Sequence, residues 1–235
     1  MKKLLSPSVM CADLGNLRQE IKDLDKAGAD TFHLDIMDGK FVPNFALSWG
    51  EVATIRDATN KPLDIHLMVE DLDLYLPYAY KSNVDRITIH YENGNSAKHL
   101  HNIRQQGIQA GLAINPETTL SEIKELLPLV DNILVMRVQP GFAGQLAIPE
   151  VEFKINQLTQ LKNRNFGISL DGHVAPEIIE KWSSKGVEEF VCGTASGIFG
   201  KKRAGRSYAE IMKTLHGNNN DTLNQIILKN KFNSY

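Results

Sequence analysis

Eight short runs of strand-favouring residues alternate with segments of helical pattern, and this alternation limits the fold more tightly than any other feature of the chain. The strand runs fall at residues 4–10, 31–36, 63–68, 86–90, 109–114, 132–138, 166–170 and 189–192. Helices are expected over 14–26, 48–58, 71–80, 96–106, 120–127, 150–162, 176–185 and 207–215. Their start signals are legible: Asp13 and Ser48 as caps, Pro176 in a first turn, and Leu17, Ile21 and Leu24 spaced along one helix face. Strict alternation in a length near the minimum for a closed ring specifies an α/β fold, the (β/α)8 TIM barrel. No linker interrupts it, so residues 1–217 are expected to form one barrel domain, followed by an Asn-rich appendage at 218–235. The absence of Gly-X-Gly-X-X-Gly after the first strand counts against a dinucleotide-binding open sheet.

Composition narrows the function classes. With 42% hydrophobic and 23% charged residues, the 235-residue chain has the makings of a sizeable core. Its formal net charge of -2 offers no basic surface for nucleic acid or an anionic membrane. The apolar part of the opening segment is too short for a signal peptide, and no run has the length of a membrane span. Two cysteines, Cys11 and Cys192, do not make a disulfide framework; both are read as buried free thiols, and a cytoplasmic setting is expected.

A closed barrel delivers the C-terminal end of every strand to one face, where such folds keep their chemistry. Period-two alternation along the second strand puts His33 and Asp35 on the same side, ahead of the turn at Met37-Asp38-Gly39 and the extended Val42-Pro43-Asn44. His66 and Asp171 stand near the ends of the third and seventh strands. Two imidazoles and two carboxylates suit a zinc-like divalent ion, and by ligand type also manganese or iron. A hydrogen-bonded polar network without an ion is the competing reading. Two aspartates flanking one ion also suggest a reaction: one removes a proton from a substrate carbon, the other returns one to the opposite face, and the centre inverts. Gly141 and Gly144 after strand six, Gly172 after strand seven, and Gly193 with Thr194 after strand eight could free backbone amides for a phosphate, or serve simply as turns. Met37, Met68 and Met136 either fill the core or wall the site against water. Ser8 either orients a ligand or a substrate hydroxyl, or forms a turn.

These residues carry a resemblance. His33-Leu34-Asp35-Ile36-Met37-Asp38-Gly39, with Phe41-Val42-Pro43-Asn44, resembles the signature of the ribulose-phosphate 3-epimerase family. The similarity extends through Pro7-Ser8, His66-Leu67-Met68, Pro140-Gly141-Phe142-Ala143-Gly144-Gln145, Asp171-Gly172 and Gly193-Thr194, to about Ile211. The resemblance implies a ribulose-phosphate-binding barrel that interconverts ribulose 5-phosphate and xylulose 5-phosphate in pentose phosphate metabolism, as a homo-oligomer. It places one divalent metal ion on His33, Asp35, His66 and Asp171, with zinc foremost and iron, manganese or cobalt as further candidates. Asp35 and Asp171 become the acid/base pair. The phosphorylated ketose would be held by Ser8, His66, Met37, Met68, Met136, Gly141, Phe142, Ala143, Gly144, Gly172, His173, Gly193 and Thr194.

The chain departs from that pattern in places. His173 stands where the family usually has a second glycine, and Gln139 where the pentulose enzymes commonly have Asn. Ala143 replaces a glycine, as in the similar allulose-6-phosphate 3-epimerase branch, and the loop from Gly193 to Phe199 is one or two residues longer. None of these changes touches a ligand position, so they bear on substrate length and affinity. The rival activities are epimerisation of allulose 6-phosphate, phosphosugar binding without turnover, and a related barrel decarboxylase or aldol-type lyase. The last would need a catalytic lysine in Asp-X-Lys-X-X-Asp, which residues 33–38 lack.

Overall fold

In a computed structural model, which describes residues 3–217, the alternation is realised as eight parallel strands. They are β1 (Leu4–Pro7), β2 (Phe32–Met37), β3 (Leu63–Met68), β4 (Arg86–His90), β5 (Gln109–Ile114), β6 (Asn132–Met136), β7 (Gly167–Asp171) and β8 (Glu189–Cys192). Pairing runs consecutively from β2 to β8, and β8 pairs with β1. The remaining seam, between β1 and β2, is closed by a parallel bridge from Ser8 to His33. Asp30 adds a backbone N–H to Leu5 O at 3.0 Å and a carboxylate accepting Leu5 N–H at 2.9 Å. β2 and β3 are buried at every residue, as parallel strands covered on both faces require.

Among the described residues seven α-helices cover the ring: α1 (Leu17–Lys26), α2 (Trp49–Ala58), α3 (Leu72–Lys81), α4 (Ser96–Gln105), α5 (Val151–Thr159), α6 (Pro176–Ser183) and α7 (Tyr208–Leu215). α1 buries Leu17, Ile21 and Leu24, the face its spacing predicts. α2 and α7 open on reciprocal capping boxes, Ser48 with Glu51 and Ser207 with Glu210, each contributing about 1 kcal/mol.

The structure corrects three expectations. The first strand ends at Pro7, where Cys11 N–H turns back to Ser8 O at 3.0 Å and Val9–Cys11 becomes a 3-10 turn. Cys11 therefore belongs to that turn, not to the strand. Asp13 caps a 3-10 turn, Leu14–Asn16, and α1 starts only after it. The helix expected over 120–127 is a 3-10 segment, Lys124–Leu129. There Glu122 is spent accepting from the Thr119 backbone and hydroxyl at 2.7 and 2.6 Å, and Pro128 lacks the N–H that a further α-turn needs. Other boundaries shift by a few residues, with β6 stopping at Met136 and β7 keeping Asp171 as its last residue. The Asn-rich appendage at 218–235 lies outside the described residues.

The barrel interior is divided. On one side Arg86 of β4 reaches Glu189 of β8 at 2.6 Å and Asp64 of β3 at 2.9 Å. Thr31 donates to Glu189 and Thr88 to Asp64, both at 2.8 Å. Gly111 of β5 admits Thr88, since a Cβ there would lie 2.2 Å from the threonine Oγ1. The other side is apolar, built from Ala113, Leu134, Met136 and Val191.

Candidate active site

The register of β2 and β3 sets His33 beside Asp64 and Asp35 beside His66. Alternation points all four side chains the same way, so each imidazole meets a carboxylate on the neighbouring strand. His33 Nδ1 lies 3.1 Å from Asp64 Oδ2, and its Nε2 lies 3.3 Å from Asp35 Oδ1. His66 Nδ1 is 3.3 Å from the same Asp35 oxygen and 3.2 Å from His33 Nε2. Asp171, arriving at the end of β7, places Oδ2 3.9 Å from His33 Nε2. Ser8 donates to Asp35 Oδ2 at 2.9 Å, which makes it an orienting group for that carboxylate.

One ligand atom from each of His33, Asp35, His66 and Asp171 lies within 4.8 Å of the other three. Ligands about 2.0–2.2 Å from a shared, tetrahedral zinc-sized ion stand about 3.3–3.6 Å apart, so the ligand atoms of this cluster need to draw in by roughly an ångström to take one. The chemistry of the donor set agrees. Asp64 accepts the Nδ1 hydrogen of His33 and leaves Nε2 to face the cluster, the carboxylate–imidazole support that metal-binding histidines usually have.

Electrostatics separates the two aspartates. Burial alone would raise Asp35, but the adjacent His33, through its charge and its hydrogen bond, holds it below the usual carboxylate range. Asp171 is pushed up, by burial first and then by the Asp35 charge, against the pull of His33. His33 is raised well above an ordinary histidine despite full burial, because Asp35 and Asp64 flank it. The two carboxyl groups are thus shifted in opposite directions from one ordinary value.

A cleft opens above the cluster. Ser8, Asp35, Met37, Met68, Met136 and Asp171 line its floor and walls; Gly141, Phe142, Ala143, Gly144, Gly172, His173, Gly193 and Thr194 line it as well. Every expected substrate residue is thus brought together except His66, which is fully buried and does not line the cleft. Its position fits a ligand but not a direct contact to substrate. Cys11 is only partly buried and lines the cleft, correcting the reading of two buried thiols; burial and the Asp35 charge push it up to about 11, which leaves it a poor nucleophile.

Gly172 and His173 explain how the glycine loops are held. At Gly172, φ is +92° and a Cβ would lie 2.6 Å from Val138, so no other residue fits. His173 keeps a left-handed φ of +50° and donates from Nδ1 to Gln145 O at 2.8 Å. Arg137, almost fully buried, donates to Gly172 O and His173 O at 3.2 and 2.7 Å. Asn44, in the segment after β2, holds the β6 loop by donating to Gly141 O at 2.7 Å. His173 therefore latches the β6 loop to the β7 loop. In His173→Gly, the lost hydrogen bond and the relieved backbone each amount to about 1 kcal/mol and nearly cancel in stability. Amide exchange at residues 141–145 should nevertheless rise about fivefold at unchanged Tm. Unchanged exchange there would show that the latch does not hold the loop.

Sequence reasoning missed Asp64, Arg86, Thr88, Glu189, His90, Glu92 and Arg137. A signal existed for most of them: Asp64-Ile65-His66 and Arg86-Ile87-Thr88-Ile89-His90 repeat the period-two polar pattern that drew attention to His33 and Asp35.

Comparison with known proteins agrees with this geometry. The model of the ribulose-phosphate 3 epimerase family matches residues 4–199. A ribulose-phosphate 3-epimerase of Synechocystis sp. is 40% identical over 199 residues, covering 82% of this chain and 86% of that protein. One from Bacillus subtilis is 35% identical over 215 residues, covering 88% and 97%. Among solved structures, a 3-hexulose-6-phosphate synthase superposes with a TM-score of 0.65 at 14% identity, covering 92% of this chain and 98% of that one. A tryptophan synthase alpha-subunit from Pyrococcus furiosus gives 0.64 at 16%, covering 92% and 96%. At those identities the two structures speak for the barrel alone. The family match over most of the chain and the four converging side chains lead to one conclusion: the chain belongs to the ribulose-phosphate 3-epimerase family.

Proposed function

We propose that this chain is a ketose-phosphate 3-epimerase that inverts C3 of ribulose 5-phosphate to give xylulose 5-phosphate, with Asp35 and Asp171 as its acid/base pair. The observation that carries the reading is the meeting of these two carboxyl groups, from β2 and β7, at one point with opposite protonation preferences. Asp35, held ionised, takes the C3 proton. Asp171, which burial and the Asp35 charge incline toward a proton, returns one to the opposite face, and in the reverse direction the roles exchange. Ser8 fixes the Asp35 carboxylate through its hydroxyl. The methionines exclude water from the carbanion without offering it a proton. Gly141 to Gly144, Gly172 with His173, and Gly193 with Thr194 are the proposed phosphate end.

His33, Asp35, His66 and Asp171 would hold one divalent ion, zinc by preference. Bound there, the ion supplies positive charge against the anion left when C3 loses its proton. Among the described residues no lysine lines the cleft, which leaves a lyase without its amine.

Solvent-deuterium incorporation at C3 tests the reading, in protein stripped by chelator and in protein reloaded with zinc. Reloaded protein should exchange and epimerise ribulose 5-phosphate, with kcat/KM above that for allulose 6-phosphate, and stripped protein should lose most of that rate. No exchange in the reloaded form would reduce the chain to a binding protein. A higher kcat/KM on the hexulose would move the substrate to six carbons, as Ala143 and His173 would then explain.

A further inference from the structure

We propose that His90 and Glu92 are positioning residues that set the tautomer of His66, keeping its Nδ1 bare for a cation; the inference rests on reading the four-residue cluster as a metal site. Glu92 leaves β4 two residues after His90 and is anchored. Its Oε1 accepts from Asn115 N–H at 2.9 Å and from the Thr118 hydroxyl, while its Oε2 lies 3.0 Å from His90 Nδ1. An ionised carboxylate only accepts, so the hydrogen in that last contact sits on His90 Nδ1. A neutral imidazole carries a single N–H, which leaves His90 Nε2 bare.

The His66 ring lies against it. His66 Nε2 and His90 Nε2 are 2.8 Å apart, with ring centroids at 4.9 Å and planes 22° apart. Two bare nitrogens at that distance would repel, so the hydrogen between them belongs to His66 Nε2. His66 Nδ1 is then bare. It faces Asp35 Oδ1 at 3.3 Å and His33 Nε2 at 3.2 Å, and it is the atom that converges with the other ligands. Phe41 covers His90 from the β2 loop, with centroids 4.9 Å apart, and His90 is fully buried, so water does not compete for its Nε2.

The relay answers a specific hazard. Left to itself, His66 would put its hydrogen on Nδ1 and donate it to Asp35, a satisfied hydrogen bond that closes the site to an ion. His33 escapes this because Asp64 takes its Nδ1 hydrogen directly. His66 has no carboxylate on its outer nitrogen; Glu92 acts on it through one intervening ring.

The experiment reads the tautomer and the ion separately. Imidazole 15N shifts of the metal-free wild-type protein should show His66 protonated at Nε2 and bare at Nδ1, and His90 protonated only at Nδ1. Zinc affinity, measured by competition with a chromophoric chelator, should fall about 10–100-fold in His90→Leu, which offers His66 Nε2 no acceptor. His90→Gln, whose amide oxygen can accept that hydrogen, should recover to within about threefold of wild type. A merely packing role for His90 would leave the His66 nitrogen shifts unmoved in both variants. A proton on His66 Nδ1 in a wild-type protein that binds zinc would overturn the relay alone. Wild-type protein that takes up no zinc would overturn the metal reading, and with it the purpose given to the relay. Should His90→Leu fail to fold, the wild-type shifts and His90→Gln still decide, since a loss of about 10–100-fold in His90→Gln contradicts the acceptor argument.

Discussion

Asp171→Asn is expected to lower kcat by about 10²–10⁴-fold, the range that loss of a positioned proton donor removes. The fold should survive, because an amide of the same shape replaces a carboxyl that burial already inclines toward its neutral form. Thermal melts followed by circular dichroism should stay within a few degrees of wild type. The variant also carries a sharper signature. Asp35 remains able to take a proton from one epimer, so that epimer should still exchange its C3 hydrogen with solvent deuterium. The other epimer, whose proton faces Asp171, should not exchange. Loss of exchange from both epimers would point to a disturbed site; full turnover would remove Asp171 from the proton-transfer scheme and leave Asp35 to work alone.

Why the pair was legible in sequence, and much around it was not, follows from the kind of signal each residue leaves. His33 and Asp35 sit two apart on a strand that breaks at once into Met37-Asp38-Gly39, so their shared side and their place at a strand end can both be read locally. Barrel topology then brings His66 and Asp171 to the same rim, because every parallel strand ends there. The helix at 120–127 failed for the opposite reason. Its apolar spacing is real, but the competing bonds of Glu122 with Thr119 and the missing N–H of Pro128 act against it, and a periodicity count weighs neither. The latch of His173 on Gln145 joins two loops 28 residues apart, and only the neighbouring ends of β6 and β7 make it visible. Arg137 falls inside the strand expected over 132–138 with no role assigned, and it is almost fully buried under the β7 turn. Glu189 is legible only as the first residue of the strand expected over 189–192; its partner, Arg86 of β4, comes to it from across the barrel.

That cross-barrel contact carries the largest expected effect on stability. Arg86→Met should destabilise the protein by about 3–5 kcal/mol, because Asp64 and Glu189, each 2% exposed, would lose the guanidinium that bridges them. For a chain of this size that corresponds to a fall in Tm of roughly 10 °C or more. The pH dependence follows from the direction in which Asp64 is shifted. Burial would raise it, but the Arg86 charge and the His33 hydrogen bond hold it far below the ordinary carboxylate value. A depressed carboxylate supplies stability that is fully present above its unfolded pKa of about 4 and is lost as pH falls through the folded value. Without Arg86 the burial cost is no longer offset in full, and protonating Asp64 relieves it. The Tm gap between wild type and Arg86→Met should therefore be widest near pH 7 and narrow as pH falls toward about 4. Neutralising the stranded partners, with Asp64→Asn and Glu189→Gln added to Arg86→Met, should recover more than half of the lost Tm at pH 7. Because Asp64 also holds the Nδ1 hydrogen of His33, Arg86→Met should weaken zinc binding even where the protein is folded. A Tm at pH 7 within a degree or two of wild type would mean that the interior charges do not depend on Arg86, and the chain of support from the barrel floor to the catalytic rim would be broken at its first link.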